Sequence, residues 1–140
     1  MKILLAADGS KYTRKAVNYL IRHLDMFGTK VSIHLLNVHP PLPGRAARAL
    51  SRATVSRYYR DEAKRALAVA GRFLKMRRIP YEEVYLVGDP GLSIANYAKK
   101  GRFSLVIMGS RGQGAFMNLV LGSVATKVLS HCSVPTLIVR

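Results

Sequence analysis

Short, unbroken apolar runs recur along this chain, and such runs mark strands that are buried on both faces of a sheet. Segments 2–7, 104–109 and 134–139 are of this kind, the first reading Ile3-Leu4-Leu5-Ala6-Ala7. Two further strand-like segments, 30–38 and 81–87, bring the set to five. Tyr81-Glu82-Glu83-Val84-Tyr85 carries charges inside its strand, which suits an edge position. Helical segments alternate with all five. Alternation of this sort predicts a five-stranded parallel, doubly wound α/β sheet with helices on both faces, in a single domain over 1–140.

The helical segments have readable ends. Ala16, Leu20, Ile21 and Leu24 share one face of the first, and Gly28 is expected to close it. Between the second and third strands, Val55, Tyr59, Ala63, Ala66, Leu67, Ala70, Phe73 and Leu74 share a broad apolar face. Arg57, Arg60, Lys64, Arg65, Arg72 and Lys75 fall opposite. Carried further back, that register would bring Arg45, Arg48 and Arg52 onto the apolar side. The regular helix is therefore expected to begin near Arg52, with 40–50 as a basic connecting loop. Pro90 suits the first turn of the next helix, and Ser123 can cap the last.

The 140 residues are 49% hydrophobic, enough for a proper core. The apolar runs end after about five residues, far short of the roughly 18 that a membrane span needs, so neither a transmembrane segment nor a leader is expected. Cys132 is the only cysteine, which excludes an internal disulfide and fits a reducing cytoplasm. Twenty-three Lys and Arg against seven Asp and Glu give a formal charge of +16. A field of that sign attracts nucleotides, nucleic acids, acidic proteins and anionic lipid alike.

In an open parallel sheet, ligands bind beyond the carboxyl ends of the strands, where the strand order reverses. The first strand ends in Ala7-Asp8-Gly9-Ser10 and the second in Asn37-Val38-His39. The fourth runs into Gly109-Ser110-Arg111-Gly112-Gln113-Gly114, and after 115–121 comes Gly122-Ser123-Val124-Ala125. Glycines let the backbone approach an anion closely, and a helix opening at Gly122-Ser123 adds free amides and a partial positive charge. Ser123 offers a hydroxyl to phosphate, and Arg111 offers charge-assisted hydrogen bonds. No Gly-Lys-Ser/Thr of a P-loop occurs, and a dinucleotide fingerprint would follow the first strand instead. Simple turns with a capped helix remain the plainer alternative.

Gly109, two residues, Gly112, nine residues, Gly122-Ser123 resembles the ATP-binding pattern of the universal stress protein family, spacing included. The opening 3–10 and the ending 122–139 resemble that family too, so the likeness spans the chain. It implies a Rossmann-like, adenine nucleotide alpha hydrolase-like sheet, a homodimer, and ATP in the crevice with Mg2+ on its phosphates. Ala7, Asp8 and Val38 would surround base and ribose. Met108, Gly109, Arg111, Gly112, Gly122, Ser123, Val124 and Ala125 would meet ribose and phosphates. Ala125 departs from the family, which often has a hydroxyl there, so one phosphate contact would be lost.

Other signals are weaker. Asp8 suits either a contact to ribose or metal, or an Asp-Gly turn. His39 borders the same crevice, while His131 and Cys132, being adjacent, point apart and read as structural. The basic helix reads as a solvated surface or as a site for RNA, DNA or lipid. The last strand leaves an apolar edge at 134–139, which invites pairing with its twin. Three functions follow: a nucleotide-binding regulatory protein without enzymatic activity, a slow ATP hydrolase, or a nucleic-acid-binding protein.

Overall fold

The computed structural model describes residues 1–114 and 120–140. Five parallel strands form one sheet: β1 (Lys2–Ala6), β2 (Ser32–His39), β3 (Tyr81–Val87), β4 (Leu105–Gly109) and β5 (Thr136–Val139), in the order β3-β2-β1-β4-β5. β1 is central, pairing Ile3 with Ile33 on one side and with Leu105 on the other. The charged β3 lies at one edge, as its sequence predicts, and β5 at the other.

Alternation along the strands feeds two cores. Ile3, Leu5, Ile33, Leu35 and Ile107 point to one face. Leu4, Leu36, Val106 and Met108 point to the opposite one. The first face is covered by α1 (Lys11–Arg22), through Ala16, Val17 and Leu20, and by α3 (Arg52–Met76), through Leu67, Ala70 and Leu74. The second is covered by α4 (Pro90–Lys100), through Ile94 and Ala98, and by α5 (Ser123–His131), through Val128. Full burial of each such Leu, Ile or Val stabilises the fold by about 1.5–3 kcal/mol, which is why both faces of β1 must be apolar.

Caps fix where the helices start. Ser10 accepts from the amides of Tyr12 and Thr13, Ser51 from Thr54, and Asp89 from Leu92. α3 begins at Arg52, as the register of its apolar face demands. Three expectations are corrected. The stretch 40–50 is not all loop, because Gly44–Ala49 forms a short helix, α2, with no buried residue. α1 stops at Arg22, and Gly28 (φ 95°) instead ends a separate 3-10 turn, Leu24–Phe27. The last helix is capped by Gly122, so Ser123 is its first residue and makes no capping bond.

Candidate functional site

The strand order reverses between β1 and β4, since β1 leads to β2 on one side and has β4 on the other. A cavity of about 800 Å3 opens at the carboxyl ends of these strands. β1 contributes Ala6, then Ala7, Asp8 and Gly9; β2 contributes Asn37, Val38 and His39; β4 contributes Met108 and Gly109. The glycine loop adds Arg111, Gly112, Gln113 and Gly114, and the start of α5 adds Gly122, Ser123, Val124 and Ala125. All eleven residues singled out from the sequence therefore border one cavity. Residues 115–119 lie outside the described residues.

The loop is pinned at its base. Gly122 N donates to Ser110 O at 2.7 Å, and Ser110 N donates to Val139 O at 2.8 Å. Its near limb is fastened to the end of β1 by Asp8. One carboxylate oxygen of Asp8 accepts from Ser10 N (2.9 Å) and Thr13 Oγ1 (2.8 Å), and the other accepts from Gln113 N (3.0 Å). Gln113 Nε2 donates in return to Asp8 O. Asp8 makes the turn expected of an Asp-Gly pair, and it also lines the cavity.

These contacts explain two glycines in a way that the sequence did not suggest. A Cβ on Gly112 would lie 2.6 Å from Asp8 Oδ2, and one on Gly109 would lie 2.5 Å from Tyr12 Cβ and 2.9 Å from its carbonyl carbon. The first makes room for the Asp8 clasp, and the second lets α1 come down against the end of β4. Gly122 has an ordinary extended backbone (φ −76°, ψ 162°), and its absent side chain would press on Arg111 Cα at 3.2 Å. Crowding, rather than backbone angle, selects glycine at these positions.

Two helix N-termini face the cavity, those of α5 and, through Pro90 and Ile94, of α4. Thr126 N is bonded to Gly122 O, so Ser123, Val124 and Ala125 carry the first-turn amides that a helix cannot pair internally. Their partial positive charge favours an anion. Lys127 Nζ reaches Asp89 Oδ2 at 2.6 Å and ties α5 to the cap of α4. The Leu92 amide, then Lys127, hold the Asp89 carboxyl below its ordinary pKa. Ala125 borders the cavity but turns its buried methyl into the apolar cluster of Leu4 and Val128.

Sequence reasoning missed part of the wall. Thr13, Glu62, Arg65, Ala66 and Gln113 also line the cavity. Arg65 was expected on the solvent face of α3; it is exposed, yet it reaches the rim beside Ala66, which packs on Gly9. Its position next to an apolar-face residue was the available signal. His39 borders the cavity too, but its ring nitrogens face Pro40 O and the Tyr58 hydroxyl, and its ring packs against Tyr58 and Tyr59. His131 bonds back to Lys127 O, and no cluster of three His, Cys, Asp or Glu suited to a metal occurs among the described residues.

A sequence model of the universal stress protein family matches residues 1–140. A universal stress protein of Thermus aquaticus is 31% identical over 140 residues, covering 99% of this chain and 97% of its own length. A universal stress protein solved in complex with cAMP superposes with a TM-score of 0.69 at 22% identity, covering 100% of this chain and 97% of that one. An Arabidopsis thaliana protein of the same family, solved with AMP bound, gives 0.67 at 17%, covering 99% and 90%.

Proposed function

The chain belongs to the universal stress protein family, and from that premise we propose that it is an ATP-binding regulatory protein acting as a single domain over 1–140. The observation that carries this reading is the convergence of β1, β2, β4, the glycine loop and the α5 N-terminus on one cavity of about 800 Å3. That volume falls within the range of small-molecule sites. The AMP and cAMP complexes of proteins with this fold support an adenine nucleotide.

In this proposal Ala7, Asp8 and Val38 border the base and ribose. Met108, Gly109, Arg111, Gly112, Gly122, Ser123, Val124 and Ala125 border the ribose and phosphates. Asp8 braces the loop from which the phosphates are held, and the amides of the α5 first turn supply the anion contacts. Ser123, free of any capping duty, offers its hydroxyl. Mg2+ enters on the phosphates and neutralises part of their charge. ATP acts as a signal rather than a substrate, and the protein works in the cytoplasm.

The same reading makes the protein a homodimer. β5 is an edge strand of half-buried residues, Thr136–Val139, bonded on one side to β4. Pairing with a twin across a two-fold axis would satisfy its other side. Light scattering at micromolar concentration should give twice the monomer mass, and a monomer would count against the pairing.

A second reading, phosphate-backbone binding, is favoured by the exposure of Arg57, Arg60, Lys64, Arg72 and Lys75 along α3, with Lys11, Lys15 and Arg22 exposed on α1 beside it. Tyr58 and Met76 are the large apolar side chains exposed on α3. A cationic stretch of this kind suits an anionic partner such as RNA, DNA or lipid.

Mass spectrometry of ligand released from the denatured protein, with calorimetric titration of Mg·ATP, tests the main reading. Absence of adenine nucleotide together with no heat of binding would refute it. Hydrolysis should stay well below about 1 per second, the low end of enzyme turnover. Steady turnover that disappears in Asp8→Ala would establish the slow hydrolase instead.

A further inference from the structure

We infer that Arg65 is a phosphate-binding residue held in reserve by Glu62, so that the pair forms an ionic latch selecting polyphosphate ligands; this rests on the nucleotide reading above. Both residues lie three apart on α3 and line the cavity. Arg65 Nη1 donates to Glu62 Oε1 at 2.6 Å, with the arginine side chain 78% exposed and the glutamate 32%.

Position places this pair on the loop side of the cavity. Ala66, the next residue, has its Cα only 3.2 Å from where a Cβ on Gly9 would lie. That same point is 3.5 Å from Gln113 Nε2. Arg65 therefore leaves α3 beside the junction of Asp8, Gly9 and the glycine loop.

Charge supplies the reason for a latch. The cavity wall carries two carboxylates, Asp8 and Glu62, and two guanidiniums, Arg65 and Arg111. Asp8 is engaged by Ser10, Thr13 and Gln113, and Arg111 leans on the Tyr12 ring and hydroxyl. The wall is thus formally neutral, whereas a triphosphate brings several negative charges. An ion pair as exposed as Arg65–Glu62 contributes little, so exchanging the carboxylate for a phosphate costs little. Arginine is suited to that exchange, because its planar fork binds phosphate oxygens in pairs. Glu62 would then set a threshold: it competes with any phosphate for Arg65 and repels the anion until a contact replaces it. Mono-anionic or neutral ligands would gain nothing from opening the pair.

The test titrates Mg·ATP and adenosine into the wild type, Arg65→Gln, Glu62→Gln and the double variant, with circular dichroism to confirm folding. Arg65→Gln should weaken Mg·ATP about tenfold and leave adenosine within about twofold. Glu62→Gln should tighten Mg·ATP a few-fold, and that gain should vanish in the double variant. Equal loss of ATP and adenosine in Arg65→Gln, unchanged ATP affinity, or weaker ATP binding in Glu62→Gln would each overturn the latch. A wild type that binds neither ligand would refute the nucleotide reading itself, which sets the two failures apart.

Discussion

Adding one methyl group at Gly112 should loosen the glycine loop through Asp8. The new Cβ would lie 2.6 Å from Asp8 Oδ2, inside the 3.0 Å that real Cβ contacts respect, so the carboxylate must retreat by at least about 0.4 Å. Its outer oxygen accepts the Gln113 amide at 3.0 Å, and a retreat of that size stretches and weakens the bond. A hydrogen bond to a charged group contributes about 1.5–3 kcal/mol, and half-exposure favours the lower end. Gly112 has no left-handed backbone, so alanine also recovers about 0.4–1 kcal/mol by restricting the unfolded chain. The net cost should be about 1 kcal/mol, or about 3–4 °C in Tm for a chain of this size. Urea unfolding measures it. The decisive control repeats Gly112→Ala in an Asp8→Ala background, where the obstructing carboxylate is gone. There the substitution should become neutral or mildly stabilising. An equal cost in both backgrounds would refute the clasp as the reason for this glycine.

Gly122→Val should abolish Mg·ATP binding by pressing on Arg111 while the fold persists. Ser123→Ala should cost only about 1–2 kcal/mol of binding; unchanged affinity in a folded Gly122→Val protein would place the site elsewhere. His34 is buried against Phe103, with Nδ1 3.4 Å from Glu82 Oε2, and desolvation outweighs Glu82 to hold its pKa below the ordinary 6.5. The unfolded chain then takes up the proton first, so stability should fall as pH drops below about 6.5. A His34→Gln variant followed by urea midpoints from pH 7.5 to 5 should show a flatter profile, and identical slopes would remove His34 as the cause. Replacing Arg57, Arg60 and Lys64 together by Gln should weaken nucleic-acid binding about equally for all sequences and flatten its salt dependence. Sequence preference, or no effect of the triple change on measurable binding, would contradict an electrostatic role.

The sheet was legible because burial on both faces leaves so plain a trace. In Ile3-Leu4-Leu5 no inside face has to be told from an outside one, since every side chain enters one core or the other. The edge role of β3 showed in Glu82 and Glu83, and the start of α3 showed where arginines would have turned inward. The cavity wall was legible where the glycine spacing marked it, at Gly109, Gly112 and Gly122. What escaped depends on contacts between distant segments. Glu62 and Arg65 reach the cavity only because α3 crosses over Gly9, and the reason for Gly112 lies in a carboxylate far away in the chain. The short helix Gly44–Ala49 buries nothing, so it leaves no apolar period to read.

The clasp between Asp8 and Gln113 joins residues 105 apart in the chain. Closing a loop of that span costs its entropy early and is rewarded late, so such contacts belong to the slow part of folding. On the ribosome, β1 and its Asp8 emerge long before their partner, and α5 follows later still. Under the nucleotide proposal, a ligand that needs both walls would be recognised only after these distant segments have come together. A ligand so bound would stabilise the assembled state by mass action, and a chain lacking either wall would gain nothing from it.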